Sequence, residues 1–303
     1  MVDSDVLPLR VRGRTLRISG DPLLMGIVNA SPDSFSDPGR HSPEGLVERA
    51  RELAAAGAAL IDVGGESGRT DTPPLPEGEE AARVVPVIER LAAEGFVVSV
   101  DTWRASVADA ALEAGAAMVN DLSGLADPEV AEACAKAGAA LVITHTRLAP
   151  KRKGFPDYVD LIDDVATLLR RRAHEAHRRG IEQEQIVFDP GIDLAKTPAQ
   201  SVELLRRLGE LRALGRPLLL AISRKDFVGA LTGRPPRERL AGTLAALSEA
   251  VDGGAAILRV HDVAAARDYL RVRSALRGES LVPADLRLDA ALRREPTEPG
   301  PPG

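Results

Sequence analysis

Residues Val97 to Thr102 read VVSVDT, a short β-rich run that ends on a carboxylate. The same arrangement returns in LIDVGGES (Leu60 to Ser67), AMVNDLSG (Ala117 to Gly124) and QIVFDPG (Gln185 to Gly191), each an apolar run closed by Asp or Asn and an unusual loop. A polar residue at the C-terminal end of a parallel strand faces the mouth of an α/β barrel or sheet, where such folds bind ligands. Its repetition points to an enzyme.

Working outward, further runs of the same kind are Leu23 to Asn29, Ala140 to His145, Pro217 to Ser223 and Ala255 to Val260. Between the runs lie Ala/Leu/Glu/Arg stretches at helical spacing, such as VERARELAAAG and ASVADAALEAG. Several stop at Gly (Gly57, Gly115, Gly138), the usual residue just past a helix end. Eight strands, each followed by a helix, favour closure into a (β/α)8 barrel over an open doubly wound sheet. Ahead of them, LPLRVRGRTLR (Leu7 to Arg17) alternates apolar and polar residues around Arg12-Gly13, which predicts a β-hairpin. The expected division is one barrel domain with its hairpin over residues 1–276. A C-terminal extension over 277–303 ends in the Pro- and Gly-rich REPTEPGPPG and is expected to be largely disordered.

The 303 residues suffice for one such barrel with extensions. Only 3% are aromatic, so the core must be built from Ala, Val, Leu and Ile. A net charge of −6 argues against a nucleic-acid partner, although local arginines can still hold an anionic substrate. The single cysteine, Cys134, excludes an internal disulfide framework and reads as a packed small hydrophobe. No run approaches membrane-spanning length, and MVDSDVLPLRV lacks a basic region before an apolar stretch. These features predict a cytoplasmic protein with no membrane partner.

The strand–loop junctions, taken together, resemble the dihydropteroate synthase family. NASPDSFSD with a downstream GGES carries most of the specificity, and NDLSG, DPGI, SRK and RVHDV follow in order from Leu23 to Leu276. The resemblance implies a TIM barrel that condenses a dihydropterin pyrophosphate with p-aminobenzoate, releasing dihydropteroate and pyrophosphate. It implies that Asp101, Lys225 and Arg259 are catalytic, with Asn120 and Asp189 joining them on the pterin. A pterin presents an amino group beside a ring N–H, and the Asp189 carboxylate can accept from both, as carboxylates do from Arg. Asp101 would stabilise the cation that develops if pyrophosphate leaves before the amine attacks. The resemblance also implies a pyrophosphate site from Asn29, Arg69, Arg259 and His261, with Mg2+ between Asn29 and phosphate oxygens. A second-substrate site would use Phe35, Gly68, Arg69, Thr70, Leu194 and Asp226. It further implies a homodimer and a target for sulfonamides, which mimic p-aminobenzoate.

Taken singly, many of these residues have plainer readings. Asp189 or Asn120 could serve a turn, Lys225 could be solvated at a helix start, and Asp101 could pair with an Arg for structure. Arg259 and His261 are two apart on an extended segment and so share a side. His174 and His177 sit in an Arg-rich helical stretch and read as a solvated basic face.

The departures from the family pattern fall on the second-substrate side: Gly68-Arg69-Thr70 after GGES, Leu194 after DPGID, and Asp226 after SRK. Like charges ~4 Å apart at an effective dielectric near 20 cost on the order of 4 kcal/mol, so an inward Asp226 would repel the p-aminobenzoate carboxylate. Alternatively, Asp226 caps its helix and points elsewhere. The chain is accordingly expected to be a dihydropteroate synthase. The alternatives are a paralogue that binds pterin pyrophosphate but uses another amine or has lost p-aminobenzoate activity, a methyltetrahydrofolate-binding domain of a related barrel class, and a non-catalytic pterin-binding scaffold.

Overall fold

The computed structural model describes residues 7–31, 42–66 and 72–293. Phe35, His41, Gly68, Arg69 and Thr70 lie outside the described residues, so the expectations placed on them concern positions beyond this description.

The hairpin forms as expected. Strands β1 (Leu7–Val11) and β2 (Arg14–Ile18) pair antiparallel with Val11 opposite Arg14. The two turn residues, Arg12 and Gly13, both have positive φ (42° and 75°), the requirement of a tight two-residue hairpin. Arg12 donates to the carbonyls of Leu112 and Ala116, fastening the turn to the main fold.

Eight parallel strands then close in the order β10-β3-β4-β5-β6-β7-β8-β9. They are β3 (Leu23–Asn29), β4 (Leu60–Gly64), β5 (Val98–Asp101), β6 (Met118–Asp121), β7 (Ala140–Thr144), β8 (Ile186–Asp189), β9 (Leu218–Leu220) and β10 (Ala255–Val260). Helices α1 (Pro43–Ala55), α2 (Glu77–Ala93), α3 (Ala105–Glu113), α4 (Glu129–Ala137), α5 (Leu161–Arg178) and α6 (Pro198–Arg206) connect successive strands. Between β9 and β10 run two helices, α7 (Asp226–Thr232) and α8 (Leu240–Asp252), and α9 (Val263–Leu276) follows β10. Gly57, Gly115 and Gly138 each follow the helix they were expected to stop, all at positive φ. The main difference from expectation is β9, which leaves the ladder at Leu220; the backbone then turns through Arg224 at φ 59°.

Two apolar layers hold the barrel. Outside the strands, Val, Leu, Ile and Ala pack against the helices, with Cys134 fully buried among them. Inside, Met25, Leu60, Met118, Val142, Val187, Leu219 and Ile257 fill the N-terminal half and meet Leu9, Val11 and Ile18 of the hairpin. Each such side chain, wholly removed from water, contributes about 2 kcal/mol before entropy is counted. The hairpin thus plugs one mouth with hydrocarbon, and the polar strand ends face the other. No helix among the described residues is long and apolar enough to cross a membrane. Residues 277–293 carry exposed Leu281, Leu286, Leu288 and Leu292 and form one short turn at Ala290–Leu292.

Candidate active site

Side chains on a strand alternate between its two sides. With Met25, Leu60, Met118, Val142, Val187 and Ile257 inside, the same side carries Asn29, Asp62, Asn120, Thr144, Asp189 and Arg259. On β5 the inward pair is Ser99 and Asp101. The barrel interior therefore changes from hydrocarbon to polar groups within one or two inward steps along almost every strand.

The register brings these groups together. Asp101 pairs with Gly64 on one side and Asn120 on the other. Gly64 matters for space: a Cβ there would come within 3.5 Å of the Asp101 Cβ and 3.7 Å of Asn29 Oδ1. Arg259 reaches across from β10. Its Nε donates to Asp62 Oδ2 at 2.6 Å and its Nη2 to Asp101 Oδ2 at 2.7 Å. Asn120 Nδ2 also donates to Asp62 Oδ2, at 3.1 Å. Asp62 is completely buried, and its second oxygen has no hydrogen-bond partner among the described residues.

Asp121, adjacent to Asn120, faces the other way. Its carboxylate accepts from the Ser123 N–H and hydroxyl and the Leu125 N–H, which folds the NDLSG loop. One side chain of that pair builds the loop, and its neighbour stays in the barrel.

Burial and the like charge of Asp62 push the Asp101 carboxyl up to about 7, against the pull of Arg259 and Lys225. Asp189 is also raised by burial, although the Gly191 N–H and the charges of Lys225, Lys196 and Arg259 oppose the rise. Burial works against the Arg259 cation, but Asp62, Asp101 and Asp189 outweigh it and hold the guanidinium charged. Lys225 precedes α7, and its ammonium makes no hydrogen bond or ion pair among the described residues.

The SRK and RVHD motifs interlock. Arg224 grips Asp262 through two hydrogen bonds, at 3.1 and 2.8 Å. The Ser223 hydroxyl accepts from the His261 backbone N–H and lies 3.0 Å from its Nδ1. Burial and the surrounding cations Arg224, Arg259, Arg49 and Lys225 lower His261 to about 3, so the ring is neutral. These ties fix where Lys225 and Arg259 emerge.

Of the positions expected to meet the second substrate, Leu194 is half-buried in the loop after β8. Asp226 turns outward: its side chain is 75% exposed and paired with Arg239 at 3.0 Å. Of the two alternatives open from sequence, the structure has Asp226 pointing away. Glu66 of the GGES segment, 3% exposed, pairs with Arg104 at 2.8 Å and Lys151 at 3.0 Å, tying the loops after β4, β5 and β7 together.

The structure thus gathers Asn29, Asp101, Asn120, Asp189, Lys225, Arg259 and His261 at one mouth and leaves Asp226 outside the cluster. Sequence reasoning gave no role to Asp62, Ser223 or Lys196. Asp62 was detectable, since it follows Leu60 by two and so shares the inward side. Nothing in the sequence reveals that Asp62 accepts from both Arg259 and Asn120.

A closed parallel barrel with a polar cluster at the C-terminal ends of its strands is the architecture of a barrel enzyme, and the family described as pterin binding enzyme matches residues 25–261. The dihydropteroate synthase of Synechocystis sp. is 42% identical over 258 residues, covering 84% of this chain and 89% of its own. That of Bacillus subtilis is 42% identical over 244 residues, covering 80% and 84%. Among solved structures, Xanthomonas albilineans dihydropteroate synthase with 4-aminobenzoic acid superposes with a TM-score of 0.82 at 41% identity, covering 91% of this chain and all of that one. Burkholderia cenocepacia dihydropteroate synthase complexed with 7,8-dihydropteroate gives 0.83 at 38%, covering 91% and 99%. The chain belongs to the dihydropteroate synthase family and is a transferase.

Proposed function

We propose that this chain joins p-aminobenzoate to a dihydropterin pyrophosphate at the barrel mouth, with Asp101, Lys225 and Arg259 carrying the chemistry. The observation that carries the reading is the Arg259 fork, which holds Asp62 and Asp101 in place beside Asn120. In the reaction the bond from the pterin methylene to the diphosphate oxygen breaks with its electron pair. A bond forms from that carbon to the amine nitrogen, which releases its proton to water.

Asp189 accepts the amino and ring N–H groups of the pterin, Asn120 adds complementary donor and acceptor atoms, and Lys225 donates to a ring nitrogen or carbonyl oxygen. Asp101 stabilises positive charge as it develops on the methylene and ring, in a setting of low dielectric where a fixed carboxylate acts strongly. Arg259 neutralises Asp62, orients Asp101 and presents a planar cation to the pterin face and diphosphate. The neutral His261 ring donates to a diphosphate oxygen. Of the residues assigned to the pyrophosphate and the second substrate, Arg69, Phe35, Gly68 and Thr70 rest on family resemblance alone, and Leu194 on resemblance together with its place after β8.

No group of three or more His, Cys, Asp or Glu able to hold a metal occurs among the described residues. A single amide oxygen such as Asn29 Oδ1, with Gly64 leaving room beside it, suits Mg2+, which commonly keeps water and phosphate oxygens as its other ligands. Asn29 would hold the ion, which when bound offsets charge on the departing diphosphate.

A paralogue that uses another amine was the competing reading, and it leaned on Asp226. The outward turn of Asp226 to Arg239 supports p-aminobenzoate instead. Sulfonamides would compete for the same place; the Yersinia pestis dihydropteroate synthase solved as a sulfonamide drug complex matches with a TM-score of 0.84 at 38% identity. We further propose a cytoplasmic homodimer in which residues 1–276 form the working barrel and 277–303 an appendage. The test is pyrophosphate release from protein, Mg2+ and dihydropterin pyrophosphate, with p-aminobenzoate, with other arylamines and with none. Release driven by p-aminobenzoate is expected; release driven only by another amine would establish the paralogue.

A further inference from the structure

Lys196, 1% exposed, is the largest wholly buried side chain among the described residues, and the chemistry above makes no use of it. Among the described residues its ammonium touches no carboxylate. It donates to the carbonyls of Gly191 at 2.8 Å and Leu194 at 3.0 Å and lies 2.9 Å from His145 Nδ1. A buried ammonium is expensive to desolvate, and burial pulls this one down to about 7 while Asp189 favours its charge. A wholly buried ammonium held on carbonyl oxygens and a ring nitrogen invites a functional explanation.

The surroundings supply one. Gly191 follows Asp189 by two, and its N–H donates to Asp189 Oδ1 at 2.7 Å. The turn is pressed so closely onto the end of β7 that a Cβ on Gly191 would sit 2.0 Å from the His145 carbonyl oxygen and 3.2 Å from Lys196 Nζ. With Lys196 donating to Nδ1, the His145 Nε2–H donates to Asp164 Oδ1 at 2.9 Å. Asp164 is gripped by Arg147, which lies 4.6 Å over the Tyr158 ring. The Tyr158 hydroxyl donates back to the Ala195 carbonyl at 2.9 Å. The circuit closes on the residue next to Lys196, so the loop from Gly191 to Lys196 is held from both sides.

We propose that Lys196 is a positioning residue for pterin recognition. Its ammonium fixes the Gly191–Leu194 turn that aims the Asp189 carboxylate. The proposal rests on Asp189 binding the pterin edge.

The test measures steady-state kinetics of Lys196→Met beside the unaltered protein, varying each substrate in turn. KM for dihydropterin pyrophosphate should rise about tenfold or more, the loss expected from one hydrogen bond involving a charged group, with kcat within about threefold and KM for p-aminobenzoate within about twofold. A folded variant whose pterin KM is unchanged overturns the proposal. So does one that loses kcat while both KM values stay put, since that reports only a smaller folded fraction. Should Lys196→Met not fold, His145→Leu decides. It removes both ring nitrogens and should raise the pterin KM by about threefold, and no rise overturns the proposal. Calorimetric binding of a pterin lacking the diphosphate, run on the same proteins, separates the two readings. Failure of the unaltered protein to release pyrophosphate counts against the proposed activity, whereas equal pterin affinity in both proteins counts against Lys196.

Discussion

The proposed pterin side and the proposed second-substrate side of the barrel mouth are built differently. The first is borne by strands. Asp62, Asp101, Asn120, Asp189 and Arg259 all lie on the ladder, and the first three meet Arg259 or each other through hydrogen bonds of 2.6 to 3.1 Å. The second is borne by loops and a helix start, with Leu194 half-buried and Asp226 turned to solvent. Every departure from the family pattern noted in the sequence falls on the loop-borne side. Strands fix side-chain direction through shared register, so a change there disturbs several partners at once; a loop residue can rotate away, as Asp226 does onto Arg239.

The sharpest way to break this contrast is to remove its central cation. Arg259→Met leaves Asp62 and Asp101 buried without their partner, which should cost on the order of 3–5 kcal/mol of stability and reduce kcat/KM by at least about a thousandfold. Chemical denaturation and pyrophosphate release check the two effects; a variant that keeps both properties would mean that the fork is ornamental.

The next effect is on pH dependence. Asp101 titrates near 7 in the free protein because burial and Asp62 favour the protonated form. If the ionised carboxylate does the work, kcat/KM for the pterin substrate should fall about tenfold per pH unit below that value, and Asp101→Asn should abolish this limb. The stability sign runs the other way. A folded pKa raised above the unfolded one gives stability that is complete at low pH and lost as pH rises through about 7, so Asp101→Asn should melt higher than the unaltered protein at pH 8. A pH-independent kcat/KM, or a lower melting point for the variant, would contradict this placement of charge.

Asp189→Asn should raise the pterin KM by about tenfold, since the amide keeps one acceptor and loses the charge. The smallest effect belongs to the loop-borne side. Asp226→Ser should change KM for p-aminobenzoate by less than about twofold, because its side chain already faces water and exposed pairs contribute little. A large gain in affinity would show that Asp226 does turn inward during the reaction.

The sequence carried the barrel, the hairpin and the strand-borne residues because each depends on a local pattern: period-two alternation, a glycine after a helix, a carboxylate at a strand end. Asp101, Asn120 and Asp189 could be placed at the mouth from those patterns alone. What stayed hidden depends on distance in the chain. Arg259 meets Asp62 across 197 residues, and Lys196 meets His145 across 51. No local signal distinguishes a lysine in IDLAK that is wholly buried from one on the surface. Asp226 keeps two readings in the sequence for a related reason: its partner Arg239 lies 13 residues on, past the end of α7 and beyond any motif that includes both.

The central claim is that Asp101 acts on the pterin methylene carbon that the diphosphate leaves, rather than on binding. Single-turnover pyrophosphate release by Asp101→Asn, beside its dissociation constant for dihydropterin pyrophosphate, tests this directly. The account predicts a rate lower by about a hundredfold or more with affinity changed less than about threefold. An unchanged rate, or a loss residing wholly in affinity, would contradict it.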